Sequence, residues 1–380
     1  MARILISLLL LSGALLHACA GSEEAAGKVV IGVLAPFDRN LAVVEGATLA
    51  AEEINAAGGI EVGGRRLSLE LLVEDTENRP ETALSKTLKL INRDGVVALV
   101  GLPRSHTAVP VARIAERHKI PLISTTSTHP ETTAGKRYIF RMTFLDAFQG
   151  QVLAEFAYHD LGARRAAALI DAAGFYSAHV NGIFSRVFQA LGGQMVAVET
   201  FTEDELVVTQ QLLRIRDSGA EALFMPNFSE FVKVHAREAR RLGVAATFLG
   251  ADTWSNEIDP RECPEIAGSY FLDSWAPSRA DPKTRSFIAS YRRRFGTEPL
   301  ASAALAYDAL SMIAEAIRVR GAADPESIRA GLIHLEHDGV SGLTAFSGSG
   351  DPSRSVFIRK IGEDGTRSLY KEIRPPSKRS

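Results

Sequence analysis

Cysteine is nearly missing from this chain: Cys19 and Cys263 are the only two in 380 residues. They cannot form a disulfide framework, and no CxxC or Cys/His cluster has the spacing of a structural zinc site. An excess of one charge is missing too. Lys and Arg number 43 against 45 Asp and Glu, a formal net charge of −2. A nucleic-acid binder needs a basic face, so nucleic acid is not expected as a partner. Past residue 16 no segment approaches the roughly 20 apolar residues that span a bilayer. Catalytic signatures are absent: no Walker loop, no GxSxG elbow and no G-x-G-x-x-G after a strand. Gly339-Val340-Ser341-Gly342 comes nearest and lacks the elbow spacing. His334 and His337, three apart on an expected helix, lack further ligands and read as a surface pair. The expectation is a protein that is no enzyme, with no metal and no cofactor.

The N-terminus carries a targeting segment. Arg3 precedes an apolar run over 4–16 that is too short to span, and residues 1–18 read as a signal peptide. Leu16-His17-Ala18-Cys19 resembles a bacterial lipobox, which implies cleavage before Cys19 and lipidation of its thiol. An ordinary signal peptide that contains Cys19 is the alternative. Residues 19–28 are small and polar, as a flexible tether requires. An acyl anchor holds a protein on a membrane without crossing it. The folded part is therefore expected outside the cytoplasm, in the periplasm, as a membrane-anchored lipoprotein. The remaining residues, about 350, suit two domains of ordinary size.

Apolar runs of strand length then alternate with helical spacing. Residues 29–34 are continuously apolar, as in a strand buried on both faces. Val43, Ala47, Ala50 and Ile54 recur at helical spacing, and Gly58-Gly59 ends that helix. Strands follow at 67–75, 98–101 and 121–124, with a helix opened by Pro80 between the first two. The pattern resumes with helices at 151–161, 178–191, 205–217 and 230–242 and strands at 166–171, 194–201, 222–225 and 247–250. Such alternation predicts an α/β protein with parallel sheets covered by helices, in two similar lobes. From residue 281 the alternation breaks. Helices read over 281–295 and 302–320, and Pro325 opens another. Short strands follow near 343–346 and 355–361, then a tail at 373–380.

Two strand ends stand out. Residues 98–101 run into Leu102-Pro103-Arg104-Ser105-His106-Thr107, and residues 120–123 into Ser124-Thr125-Thr126-Ser127-Thr128-His129-Pro130. Ligands of parallel sheets bind beyond the carboxyl ends of the strands. A helix opening there offers free N–H groups and partial positive charge to a carboxylate or phosphate. No nucleophile is paired with a base in either loop, so the chemistry indicated is binding.

Five stretches carry a family likeness: 52–60, 101–107, 124–133, Phe140-Arg141 with Asp146 and Gln149-Gly150, and Ala306-Tyr307-Asp308-Ala309. In their order and spacing they resemble class I periplasmic solute-binding proteins of the leucine/isoleucine/valine-binding type, from bacterial ABC transporters. The likeness runs over 29–371. It implies two doubly wound lobes joined by three hinge crossings, near 143–148, 271–277 and 338–342. The first lobe would be 29–145 plus 278–337 and the second 146–276 plus 340–372. It further implies a monomer that traps an amino acid, branched-chain or related, between its lobes and delivers it to ABC permease subunits. The alternative is a ligand-sensing receptor domain that partners a membrane signalling protein.

The resemblance also assigns residues. Ser105 and Thr128 would donate to the ligand carboxylate, with Ser127 between the two loop threonines and the Thr126 carbonyl accepting from the ammonium. Asp252 would be the acidic partner of that ammonium, and Tyr176 and Phe228 would close on the ligand from the second lobe. Each has a plainer reading: the hydroxyls as N-caps, Asp252 as a turn cap, the aromatics as core. Phe228 departs from the tyrosine of branched-chain binders. Arg104 stands where the family has a cysteine, and Arg39 and Arg104 either face the cleft or are solvated. Ser302 replaces a bulky apolar wall residue, which implies a roomier pocket.

Overall fold

A computed structural model describes residues 27–202, 207–255, 258, 261–278 and 281–373. The signal peptide, Cys19, most of the tether, Glu205 and the tail beyond Ile373 lie outside the described residues. The first part of the chain forms β1 (Lys28–Ala35), a short α1 (Phe37–Asn40), α2 (Ala42–Ala56), β2 (Ile60–Val62), β3 (Arg65–Asp75), α3 (Pro80–Asn92), β4 (Ala98–Gly101), α4 (Ser105–Arg117), β5 (Leu122–Ser124) and β6 (Ile139–Arg141). They build a sheet of order β2-β3-β1-β4-β5-β6, parallel except for the β2 hairpin strand. Alternation along its central strands explains the double burial. Ala98 and Val100 enter one core, with the helix Ala301–Arg320, while Leu99 enters the other, with α4.

The second part forms α5 (Asp146–Glu155), β7 (Arg165–Asp171), α6 (Phe175–Ala190), β8 (Gln194–Phe201), α7 (Thr209–Asp217), β9 (Ala222–Met225), α8 (Ser229–Arg241), β10 (Thr247–Gly250) and β11 (Tyr270–Asp273). The chain then returns to the first lobe for α9 (Pro282–Phe295), α10 (Ala301–Arg320), α11 (Pro325–Leu332) and the hairpin β12 (Glu336–Gly339) and β13 (Gly342–Ala345). It ends with β14 (Val356–Ile361) and β15 (Arg367–Ile373). The second sheet runs β15-β14-β11-β10-β9-β7-β8, with β14 and β15 as an antiparallel edge on a parallel body. The protein is thus a two-lobed α/β molecule. No helix among the described residues is long and apolar enough to cross a membrane.

Several expectations shift. The helix read over 151–161 begins at Asp146 and ends in a π-helical turn, Phe156–Asp160. Its first turns carry no apolar period because they pack on α6 through a glycine: a Cβ on Gly150 would lie 2.9 Å from the Ile183 Cβ. His334 sits in a turn and His337 on β12, not on a helix. His337 Nδ1 lies 2.8 Å from a Glu315 carboxylate oxygen, and its Nε2 lies 3.8 Å from Asp308.

The third passage between lobes also moves. Residues 338–342 form the tip of the β12–β13 hairpin and stay on the first lobe. There the N–H groups of Val340 and Ser341 each donate to the Asp308 carboxylate at 2.8 Å. Val340 packs with Trp275 and Phe287. Ser353 still pairs with Ala345, and Val356 is already in the second core, so the chain crosses at Arg354. Arg354 is buried. Its guanidinium donates to the carbonyls of Met142, on the first crossing, of Ser274, on the second (2.9 Å), and of Ser341 (3.3 Å). One side chain therefore ties the three crossings together.

Candidate functional site

The carboxyl ends of the two sheets face each other across a cleft. At the end of β4, Gly101 has φ 129° and Leu102 φ 55°. A Cβ on Gly101 would stand 2.0 Å from the Leu34 carbonyl oxygen, so only glycine allows this turn. Leu102, a bulky residue in the left-handed region, is held there by full burial and by its N–H, which donates to Leu34 at 2.8 Å. The turn swings Pro103-Arg104-Ser105 over the sheet end, and the Arg104 side chain at the N-cap position does not cap α4. The opening of α4, at Ser105, thus lies on the cavity wall, where its first N–H groups and partial positive charge suit an anion.

The loop after β5 is hydrogen-bonded onto this turn. Ser124 Oγ donates to Leu102 O at 3.1 Å, Thr126 Oγ1 to Pro103 O at 3.0 Å, and Ser127 Oγ to Ser105 Oγ at 3.0 Å. Beneath it, the fully buried Arg141 donates to the carbonyls of Ser127 (2.8 Å) and His129 (3.0 Å) and to Asp351 (2.7 Å). Such bonds fix a polar cradle before any ligand arrives, which lowers the ordering cost of binding.

From the other lobe, three loops follow the adjacent strands β7, β9 and β10. They bring Tyr176, on the first turn of α6, Phe228, just before α8, and Asp252, in a short 3-10 turn. Asn40, Pro103, Arg104, Ser105, Thr126, Thr128, Tyr176, Phe228, Asp252 and Thr253 line one cavity of about 430 Å³, including its open mouth. Six of the seven residues singled out by sequence therefore meet there, from both lobes. The seventh, Ser127, does not line it. Its buried hydroxyl is used on Ser105 and on Thr132 (2.8 Å), so it supports the cradle from below.

Asp252 dominates the electrostatics. Burial pushes its carboxyl up to about 7, against the hydrogen bond from Tyr176, with Asp146 and Asp273 adding repulsion. Tyr176 Oη lies 2.5 Å from Asp252 Oδ1. Burial and that carboxylate hold the phenol well above its ordinary range, so it stays a donor. Among the described residues no cationic side chain forms an ion pair with Asp252. A buried carboxyl kept short of a counter-ion at a cavity wall suits a cationic ligand group.

Three participants were not assigned from sequence. Asn40 ends α1 and accepts from the buried Ser302 hydroxyl at 2.8 Å, so Ser302 stands behind Asn40 and does not itself line the cavity. Gln149 Oε1 lies 3.2 Å from Tyr176 Oη and 3.4 Å from the Asp252 N–H, which it accepts. Arg104 is not solvated: it is buried, its guanidinium stacks 3.8 Å from the Phe228 ring centre, and Nη1 reaches Glu230 at 3.3 Å. Arg39 also donates to Glu230, at 2.6 Å. Burial opposes ionisation of Glu230, but the two guanidiniums hold its carboxyl below the usual range. Two cations of the first lobe thus meet one acid of the second at the cleft mouth. Cys263 is buried with its thiol pushed up to about 11 by burial, which leaves it unreactive.

A family model described as periplasmic binding protein matches residues 29–366. A Pseudomonas aeruginosa protein named leucine-, isoleucine-, valine-, threonine-, and alanine-binding protein is 27% identical over 333 residues, 86% of each chain. Among solved structures, the leucine-binding protein LivK of Thermotoga maritima has a TM-score of 0.82 at 27% identity, covering 91% of this chain and 99% of its own. LivJ of Streptococcus pneumoniae, a branched-chain amino acid transporter substrate-binding protein in complex with isoleucine, has a TM-score of 0.84 at 25% identity. That match covers 92% of this chain and all of LivJ. With a binding cleft between two lobes and a match over nearly its whole folded length, this chain belongs to the periplasmic binding protein family.

Proposed function

We propose that the chain is the extracytoplasmic solute-binding component of an ABC importer and that its cleft holds an aliphatic α-amino acid. The carboxylate meets the hydroxyls of Ser105 and Thr128 and the open N-terminus of α4. The ammonium meets Asp252 and the Thr126 carbonyl. Tyr176 and Phe228 close over the side chain. The observation that carries this reading is Asp252: a buried carboxyl raised to about 7, without a cation, across the cavity from a hydroxyl cradle. The printed ligands of the relatives, leucine and isoleucine among them, favour an aliphatic side chain.

Contacts from both lobes exist only when the lobes are shut. Ligand therefore shifts the population toward closure, rotating about the crossings gathered by Arg354. The closed form docks on permease subunits, and acylation at Cys19 keeps it at the membrane. The test is a thermal-shift and calorimetric panel on ligand-stripped protein. It should include aliphatic, aromatic, acidic and basic amino acids and aromatic acids without an amine. Saturable binding of an aliphatic amino acid, with none of its deaminated analogue, is expected. Preference for an acid lacking the amine would overturn the reading.

A further inference from the structure

Behind the cleft, three side chains converge from the two lobes. His129 lies in the loop after β5, Asp146 opens α5, and His179 lies one turn into α6. One ligating atom from each falls within 4.8 Å of the other two. His179 Nε2 is 3.9 Å from Asp146 Oδ2, and the two imidazole centres are 4.9 Å apart. Asp146 is fully buried; Oδ1 accepts from the Gln149 amide at 3.2 Å, while Oδ2 makes no hydrogen bond of good geometry, and the neighbouring Thr128 hydroxyl only partly offsets the burial that raises its carboxyl. Arg141, the nearest guanidinium, is directed to Asp351, Thr133 and the carbonyls of Ser127 and His129. An orphaned carboxylate oxygen between two imidazoles is a destabilising arrangement unless something else binds there.

We propose that His129, Asp146 and His179 form a site for a divalent transition-metal ion of the zinc class, which ties the first lobe to the second. Two imidazoles and a carboxylate suit Zn²⁺ or Co²⁺ better than the hard, all-oxygen cations Ca²⁺ and Mg²⁺. A tetrahedral ion with bonds of about 2.0–2.1 Å places its ligand atoms about 3.3 Å apart. Separations of at most 4.8 Å therefore close by no more than about 1.5 Å, within reach of a side-chain adjustment of His179. That side chain is 38% exposed, which leaves a path for the ion and a position for a water as fourth ligand. Coordination needs a neutral His129 ring with an unprotonated nitrogen towards the ion, and it satisfies Asp146 Oδ2. Because the ligands come from both lobes, the ion favours the closed molecule. By linkage it raises the affinity of the cleft for its ligand.

The experiment titrates tag-free, chelator-stripped protein with Co²⁺, whose four-coordinate complexes absorb strongly in the visible, and then displaces it with Zn²⁺. One Co²⁺ per chain is expected, with affinity lowered about tenfold or more in His179→Ala. With chelator present, that variant should melt and bind its solute like the parent. His129→Ala is the second variant, and circular dichroism verifies its fold. No saturable Co²⁺ band, or a band of equal affinity in both variants, overturns the proposal. The site does not depend on what the cleft holds. Solute binding without a metal response rejects the metal site alone, and a Co²⁺ band without amino-acid binding upholds it while rejecting the proposed function.

Discussion

Asp252→Asn removes a charge and little else. The amide keeps the size of the carboxyl and still accepts the hydrogen bond from Tyr176, now 2.5 Å away. If the ammonium of the ligand is paired here, the loss should be that of truncating one partner of a buried charge pair, about 2–5 kcal/mol. That is a Kd weakened roughly thirty-fold to several thousand-fold. Proton linkage sharpens the test. The carboxyl of Asp252 is raised by burial to about 7 in the ligand-free protein. It is therefore protonated below that pH and must lose its proton to hold a cation. Affinity of the parent should then fall about tenfold between pH 8 and pH 6, and binding at pH 7 should release about half a proton. Calorimetry at pH 6, 7 and 8, in buffers of different ionisation enthalpy, reads both quantities. The variant should bind weakly at every pH with no proton release. In the ligand-free protein the sign reverses. A carboxyl with a raised folded pKa contributes stability only below its unfolded pKa near 4, and that contribution is lost as pH rises to about 7. Asn should therefore stabilise the ligand-free protein at neutral pH by up to about 4 kcal/mol, read as a higher melting temperature. An unchanged Kd, or a weakened Kd with the pH slope of the parent, refutes the assignment.

Ser105→Ala should cost about 1.5–3 kcal/mol in ligand binding, the range for a hydrogen bond to a charged group. Ser127→Ala, whose hydroxyl faces away from the cavity, should cost clearly less, and equal losses by calorimetry would contradict the cradle geometry. Arg354→Met should lower the urea midpoint strongly. It strips charged donors from the Met142, Ser274 and Ser341 carbonyls, each worth about 1–3 kcal/mol when left unsatisfied in the interior, and a surface-like change under 0.5 kcal/mol would refute the tie between crossings. His235 is fully buried, has no partner on either ring nitrogen, and is pushed down to about 4 by burial alone. The unfolded chain takes up this proton near pH 6.5 and the folded chain does not, so stability is lost as pH falls from 6.5 to 4, by about 3 kcal/mol. His235→Phe should flatten that part of the acid unfolding profile, and an unchanged profile would show that other groups control it.

Much of the architecture could be read in advance because its signals are local. The strands Gln194–Phe201, Ala222–Met225 and Thr247–Gly250 fall where the apolar runs end at turn residues. Asp281 caps α9 through its own carboxylate, as a helix start before Pro282 should. The errors lie where contacts between distant segments set the outcome. The family likeness puts the third crossing near 338–342, and only the buried Asp308, over 30 residues earlier, makes those residues a hairpin tip. β6, three residues long, has no pattern of its own and is defined by the edge of β5. Arg104 looks like a solvated arginine until Phe228 and Glu230 arrive from the other lobe.

The amino-acid order alone determined the α/β alternation, the two lobes and the two hydroxyl loops at strand ends, since periodicity, caps and turn residues act over a few positions. Only the tertiary structure decided which hydroxyls face the cavity and where the last crossing falls. It also decided that Asp252 is held near neutrality and that His129, Asp146 and His179 meet. Burial and charge partners come from residues far apart in the chain, and no local pattern encodes the distance between them.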